Sequence, residues 1–199
     1  MEPDLVVLTV DQRGSRDTPD LVPDVIAALE DVPLHRRFER TAGDELQGVL
    51  SDPRALPVVL ETLLRAGSWN IGIGTGPVEH PLPDSARAGR GTAYVRAREA
   101  VTTAKTSPWH VRVVGDDPTA RDLESAIWLW AALLDRRTPK GWEVTDLVDS
   151  GLTYEEAGRR LGISQSAVSQ RAQAAGLAEG RRARELVAHL GARLLGREA

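Results

Sequence analysis

Two acids stand where carboxylates do chemistry. Asp11 ends a continuous apolar run, Leu5 to Val10, and Asp44 lies in Ala42-Gly43-Asp44-Glu45 between two strand-like segments, Leu34 to Thr41 and Leu46 to Ser51. A buried strand that ends on Asp11 and a hairpin tip that carries Asp44 bring the carboxylates together if the two are neighbours in one sheet. Such a pair holds a divalent cation. Just beyond Asp11, Gly14-Ser15-Arg16 supplies amides, a hydroxyl and a guanidinium, groups that hold a phosphate at the mouth of a following helix. The plain alternative is that both acids cap turns and pair with Arg13, Arg16 or Arg98. His35, His80, His110 and His189 have no metal-ligand spacing, and the chain has neither a nucleophile elbow nor a Walker loop.

The second group of chemically pointed residues is at the other end, in Leu152 to Leu177 (LTYEEAGRRLGISQSAVSQRAQAAGL). Thr153 and Glu156 have capping-box spacing, Tyr154 to Leu161 reads as a helix and Gly162-Ile163 as a tight turn. Ser164 caps a second helix that Gly176 ends. Ala157, Leu161, Ile163, Val168 and Ala172 fall inward. The pattern is a helix-turn-helix, whose second helix enters the major groove of double-stranded DNA. Gln165, Ser166, Ser169 and Gln170 face outward at its start, with amides suited to adenine edges and hydroxyls suited to bases or phosphates. Ser164 stands beside them, while Arg171 and Arg159-Arg160 face the DNA backbone. The alternative is a helical hairpin that only packs or dimerises.

Elements must position these groups. Strand Leu5 to Val10 is followed by a helix over Leu21 to Glu30, the hairpin, a helix over Leu56 to Ala66 and a short strand Asn70 to Gly74. Pro77 to Pro83 reads as loop, Gly91 to Lys105 as helix and Trp109 to Val114 as strand. Gly115-Asp116-Asp117-Pro118 marks a boundary, beyond which no segment has a strand signature. Thr119 to Arg137 is a long helix whose Trp128 and Trp130 lie about 200° apart around the axis, so one needs a second apolar surface. Arg181 to Leu195 sets Leu186, Val187, Leu190 and Leu194 on one stripe, which suits a closing helix better than a membrane-surface helix. The expected organisation is α+β, with residues 1–117 as one domain and 118–199 as an all-α domain.

Composition excludes other classes. Of 199 residues 41% are hydrophobic and 27% charged, a globular balance, and cysteine is absent, so no disulfide or thiolate metal site exists. The longest apolar run, Ala126 to Leu134, is too short to span a bilayer. An acidic start (Glu2, Asp4) does not read as a secretory signal, so the expected address is cytoplasmic, without membrane association. Residues 1–118 carry 13 basic against 18 acidic side chains and residues 119–199 carry 12 against 11, so positive charge collects weakly toward the C-terminal end, where phosphate binding would want it.

Five motifs in order, D-Q-R-G-S-R from Asp11, G-D-E-L-Q from Gly43, I-G-I-G-T-G from Ile71, A-Y-V-R-A-R-E-A from Ala93 and the helix-turn-helix, resemble the SatD family along nearly the whole chain. The helix-turn-helix itself resembles region four of sigma factors. More remotely, the N-terminal part is similar to class III nucleotide cyclases and GGDEF domains. That resemblance implies a ferredoxin-like, nucleotide-cyclase-like sheet, with Asp11 and Asp44 at metal positions, Arg98 at the arginine that steadies phosphate and Arg40 where a base contact is made. Mg²⁺ or Mn²⁺ with a nucleotide is the implied ligand class. The chain departs from the pattern at Tyr94, which stands in an asparagine position, and in G-D-E-L, which keeps one of the two signature glycines. The reading is a DNA-binding transcriptional regulator whose N-terminal domain senses a ligand or forms a homodimer. The rival is a divergent nucleotide cyclase or phosphotransferase whose C-terminal module binds a partner.

Overall fold

The computed structural model describes residues 5–196. Alternation and β-branching build five strands: β1 (Leu5–Gln12), β2 (Arg36–Arg40), β3 (Glu45–Leu50), β4 (Trp69–Gly76) and β5 (Val111–Val114). The helices are α1 (Val22–Ala28), α2 (Ala55–Ala66), α3 (Thr92–Ala104), α4 (Thr119–Asp135), α5 (Pro139–Asp149), α6 (Tyr154–Leu161), α7 (Gln165–Ala174) and α8 (Leu177–Leu194). The strands form one sheet in the order β2-β3-β1-β4-β5. The first four pair antiparallel, and β5 adds parallel to β4 through α3. The run β1-α1-β2-β3-α2-β4 in this order is the ferredoxin-like arrangement, so the chain is α+β with helices following the sheet.

Period-two alternation gives the sheet two different faces. Val6, Leu8 and Val10 of β1 join the main core with Val25 of α1 and Leu56, Leu60 and Leu63 of α2. Leu5 and Val7, one residue out of phase, join Val49 and the α3 residues Ala93, Tyr94 and Ala97 on the other face. Gly72 and Gly74 let α3 lie directly on β4. A Cβ on Gly74 would fall 2.1 Å from the Ala93 carbonyl oxygen, and one on Gly72 2.2 Å from the Val101 amide nitrogen. The I-G-I-G stretch is thus a packing surface for a helix.

The main core also takes in Leu123, Ile127 and Trp130 of α4 and Val187, Leu190 and Leu194 of α8, so packing runs across positions 117 and 118. The smaller module has its own core of Val144, Ala157, Val168, Ala172 and Leu177, with Leu161 and Ile163 half-buried against it. The two tryptophans of α4 separate as their spacing requires: Trp130 is fully buried, whereas half-buried Trp128 donates from its indole nitrogen to the Val111 carbonyl at 3.0 Å.

Several local expectations are corrected. The strand expected from Trp109 begins only at Val111, because Trp109 and His110 hold left-handed backbone angles of φ 56° and 55° in a 3₁₀ turn that Pro108 starts. Helix α5 was not expected; Thr138 caps it by accepting from the Gly141 amide, and Pro139 occupies its first turn. Helix α8 starts at Leu177, directly after Gly176, which is left-handed at φ 60°. Leu186 leaves the expected apolar stripe and is 48% exposed, since a step of one residue turns it 100° from buried Val187.

Candidate functional site

The helix-turn-helix is built as its sequence requires. The Thr153 hydroxyl accepts from the Glu156 amide while Glu156 accepts from the Thr153 amide at 2.8 Å, closing a capping box on α6. Gly162, at φ 66°, turns the chain, and the Ser164 hydroxyl accepts from the Ala167 amide at 3.2 Å to start α7. A Cβ on Gly158 would lie 2.8 Å from the Ile163 carbonyl oxygen, so only glycine allows the turn to cross α6 this closely. Buried Val168 and Ala172 fix the rotation of α7 about its axis. Gln165, Ser166, Ser169 and Gln170 consequently face solvent along one ridge, with Ser164 exposed at its start and Arg171 half-buried one turn on. Arg159 and Arg160 are exposed on α6, Arg159 pairing with Glu155 at 2.7 Å.

This module is clamped to α2 by buried charge that the sequence did not advertise. Arg137, whose side chain is 1% exposed, donates from Nε to the Ala175 carbonyl at 2.8 Å and from Nη2 to the Gly176 carbonyl at 3.3 Å. It thereby satisfies the C-terminal end of α7. Its Nη1 lies 3.5 Å from Glu61 of α2, which also takes two bonds from Arg184 of α8. Arg137 and Arg65 both lie over the Trp142 ring of α5, at 4.7 and 4.2 Å from its centroid.

At the end of the sheet, Asp11, Gly14, Ser15, Arg16 and Asp44 line one open pocket of about 550 Å³, together with Arg13, Asn70, Lys105 and His110. The strand-and-hairpin argument therefore does bring the two acids to one place: Asp11 pairs with Glu45 in register, and the Gln12 amide donates to the Asp44 carbonyl. Lys105 and Asn70 were not foreseen. Lys105 Nζ lies 3.1 Å from Asp11 Oδ2, and Asn70 Nδ2 donates to the same oxygen at 3.1 Å. Lys105 gains its reach because α3 runs along β4 until its last turn meets the end of β1. Among the described residues no group of three or more His, Asp or Glu is disposed to hold a metal ion. An Asp11 oxygen already held by a cation and an amide does not fit a divalent-metal ligand set.

The remaining expected ligand groups lie elsewhere. The Gly14 turn does not open onto a helix, because residues 17–21 intervene, and the first amides near α1 are already taken: Leu21 donates to the Gln12 side chain and Val22 to Asp20. Buried Gln12 organises this loop, its amide also donating to Thr18 and to the Pro19 carbonyl. Arg40 donates to the Gly43 carbonyl at 2.7 Å and pairs with Asp20 at 2.5 Å, bordering a groove between α1 and β2 and not the Asp11 pocket. Arg98 is exposed on α3, 4.0 Å from Glu45, and borders a separate groove beside Tyr94. Burial holds the His110 imidazole below its ordinary pKa, with Arg13 adding to the effect, so it faces the pocket as a neutral ring near pH 7.

No family model matches the chain, and no curated protein matches it. Among solved structures it is similar to one described as a regulator of polyketide synthase expression from Bifidobacterium adolescentis. That similarity has a TM-score of 0.29 and 11% identity, covering 98% of this chain and 81% of the other. Among the described residues no helix is long and apolar enough to cross a membrane.

Proposed function

We propose that the protein is a DNA-binding transcriptional regulator in which α7 enters the major groove. One observation carries this reading. The α7 ridge of Gln165, Ser166, Ser169 and Gln170 is exposed, polar and uncharged, on a helix whose rotation is fixed by its own core and whose two ends are capped. Those side chains have the reach and the hydrogen-bonding groups to read base edges, while Arg159, Arg160 and Arg171 supply phosphate contacts. Residues 118–199 deliver recognition and residues 1–117 sense a ligand or drive dimerisation. A homodimer would set two recognition helices about one DNA turn apart, extending the surface that a single small module buries. The cytoplasm, where DNA is accessible, is the compartment this role needs.

Selection of bound sequences from random double-stranded DNA tests the reading. The full chain should enrich a motif. Gln165→Ala and Ser169→Ala should each relax one position at a cost of about 1–3 kcal/mol. Arg171→Ala should instead weaken all sequences alike and flatten the salt dependence. Failure to enrich any motif would refute base reading by α7.

A further inference from the structure

A groove of about 750 Å³ lies between α3 and the loop of residues 77–91, on the side of the sheet away from α1 and α2. Three arginines line it. Arg87 and Arg90 make no ion pair among the described residues, and Arg98 has only a long contact of 4.0 Å with Glu45. The loop that carries Arg87 and Arg90 is held in place and not left to wander. Arg36 donates to the Pro83 carbonyl at 2.6 Å and the Leu82 carbonyl at 3.1 Å, and the Glu79 amide donates to the Arg90 carbonyl at 2.9 Å. Guanidiniums on a fixed loop lose less freedom when they meet a ligand.

The wall of the groove holds a second pointer to a ligand. Tyr94 is 7% exposed, and its hydroxyl is buried with no hydrogen-bond partner. The ring end fits only because residue 89 is glycine: a Cβ there would lie 2.0 Å from the hydroxyl oxygen. Leaving a buried hydroxyl unpaired is unfavourable, and a sheet protein with no use for it would place phenylalanine here. Burial also pushes the phenol pKa up, so the group remains an O–H donor.

We propose that this groove binds a compact small molecule with clustered negative charge, phosphate or polycarboxylate, which Arg87, Arg90 and Arg98 meet and to which Tyr94 donates. The size suits a ligand up to a nucleotide. Glu79 and Glu99 also line the groove, and their charge disfavours an extended polyanion such as a nucleic-acid strand while leaving room for a ligand centred on the arginines. The proposal deepens the sensing half of the function proposed above and rests on that reading for its regulatory meaning alone.

Calorimetric titration of the full chain at low salt, without DNA, against pyrophosphate, ATP and citrate tests it. Binding of ATP and pyrophosphate but not citrate assigns phosphate chemistry, and the reverse assigns polycarboxylate. Arg87→Gln, Arg90→Gln and Arg98→Gln should each weaken binding roughly tenfold, as loss of one charge-assisted bond does. Arg171→Gln and Asp44→Asn, in the other two sites, should leave it unchanged. Tyr94→Phe should weaken binding yet leave the unliganded melting temperature equal or higher, a split that a purely structural tyrosine would not produce. Absence of binding by all three probes at about 1 mM, unchanged affinity in the triple arginine variant, or loss of binding in Arg171→Gln would each overturn the proposal. Since DNA is absent from the titration, anion binding without an enriched DNA motif retains the groove and removes the regulator, and the converse result does the opposite.

Discussion

Arg137→Met tests whether buried charge holds α7 against α2. Methionine keeps an apolar stem of similar length but removes the guanidinium that lies over Trp142, so the buried Ala175 and Gly176 carbonyls lose donors at 2.8 and 3.3 Å. Each bond of a charged donor is worth about 1.5–3 kcal/mol. Two terms reduce the loss. The arginine no longer has to be desolvated, a cost visible in the downward push that burial gives its pKa, and Glu61 keeps both bonds from Arg184. The net loss should be about 2–4 kcal/mol, which for a chain this long lowers Tm by roughly 5–15 °C. Equilibrium urea unfolding gives the free energy, and hydrogen exchange should show the amides of residues 165–176 opening more readily than those of β1. Arg65→Ala is the contrast: its paired bonds to Asp146, both at 2.8 Å, are solvent-exposed, and losing them with the Trp142 contact should cost about 1 kcal/mol. If Arg137→Met cost under about 1 kcal/mol with unchanged exchange in α7, the clamp would be refuted.

Gly74→Ala should destabilise by more than about 3 kcal/mol, because its new methyl meets α3 backbone and no side chain can swing away; near-wild-type Tm would show that α3 does not rest on β4 as described. Thr153→Ala, which opens the α6 capping box, should lower stability by about 1 kcal/mol, read by the urea midpoint, and an unchanged midpoint would remove the cap from the account. Burial holds His35 and His110 below their ordinary pKa, so the unfolded chain takes up those protons first, and stability should fall as pH drops from about 7 to 5. His110→Gln should flatten its share of that slope; an unaltered profile would mean that His110 titrates normally. Lys105→Met should free Asp11 from its cation and move its carboxylate resonance in NMR, and an unmoved resonance would show that the ion pair does not form in solution.

The local rules were sufficient wherever one segment's own residues settle its structure. Leu5 to Val10 is too apolar for any place but a central strand, and Ala42-Gly43-Asp44-Glu45 turns a hairpin on its own chemistry. Thr153 with Glu156, Gly162 and Ser164 specify the helix-turn-helix through capping bonds spanning only three residues. Those same rules placed Asp11 and Asp44 at one end of the sheet. They did not supply Lys105, 94 positions from Asp11 along the chain, since its reach depends on how far α3 descends along β4 over Gly72 and Gly74. Arg40 and Arg98 departed from the expected pocket for a similar reason: a strand or helix position sets a residue's direction, but the packing of whole elements sets which groove it meets. Helix α5 needed its capping signal at Thr138-Pro139 to be weighed against a short, weakly periodic segment, and its covering role follows only from the assembled core. The pairing of Arg137 with carbonyls 38 and 39 residues away lies wholly beyond local pattern. Sequence determines periodicity, caps and turns because these are short-range bonds and sterics; the tertiary structure decides partners, because burial and charge compensation are settled only when distant elements share one interior.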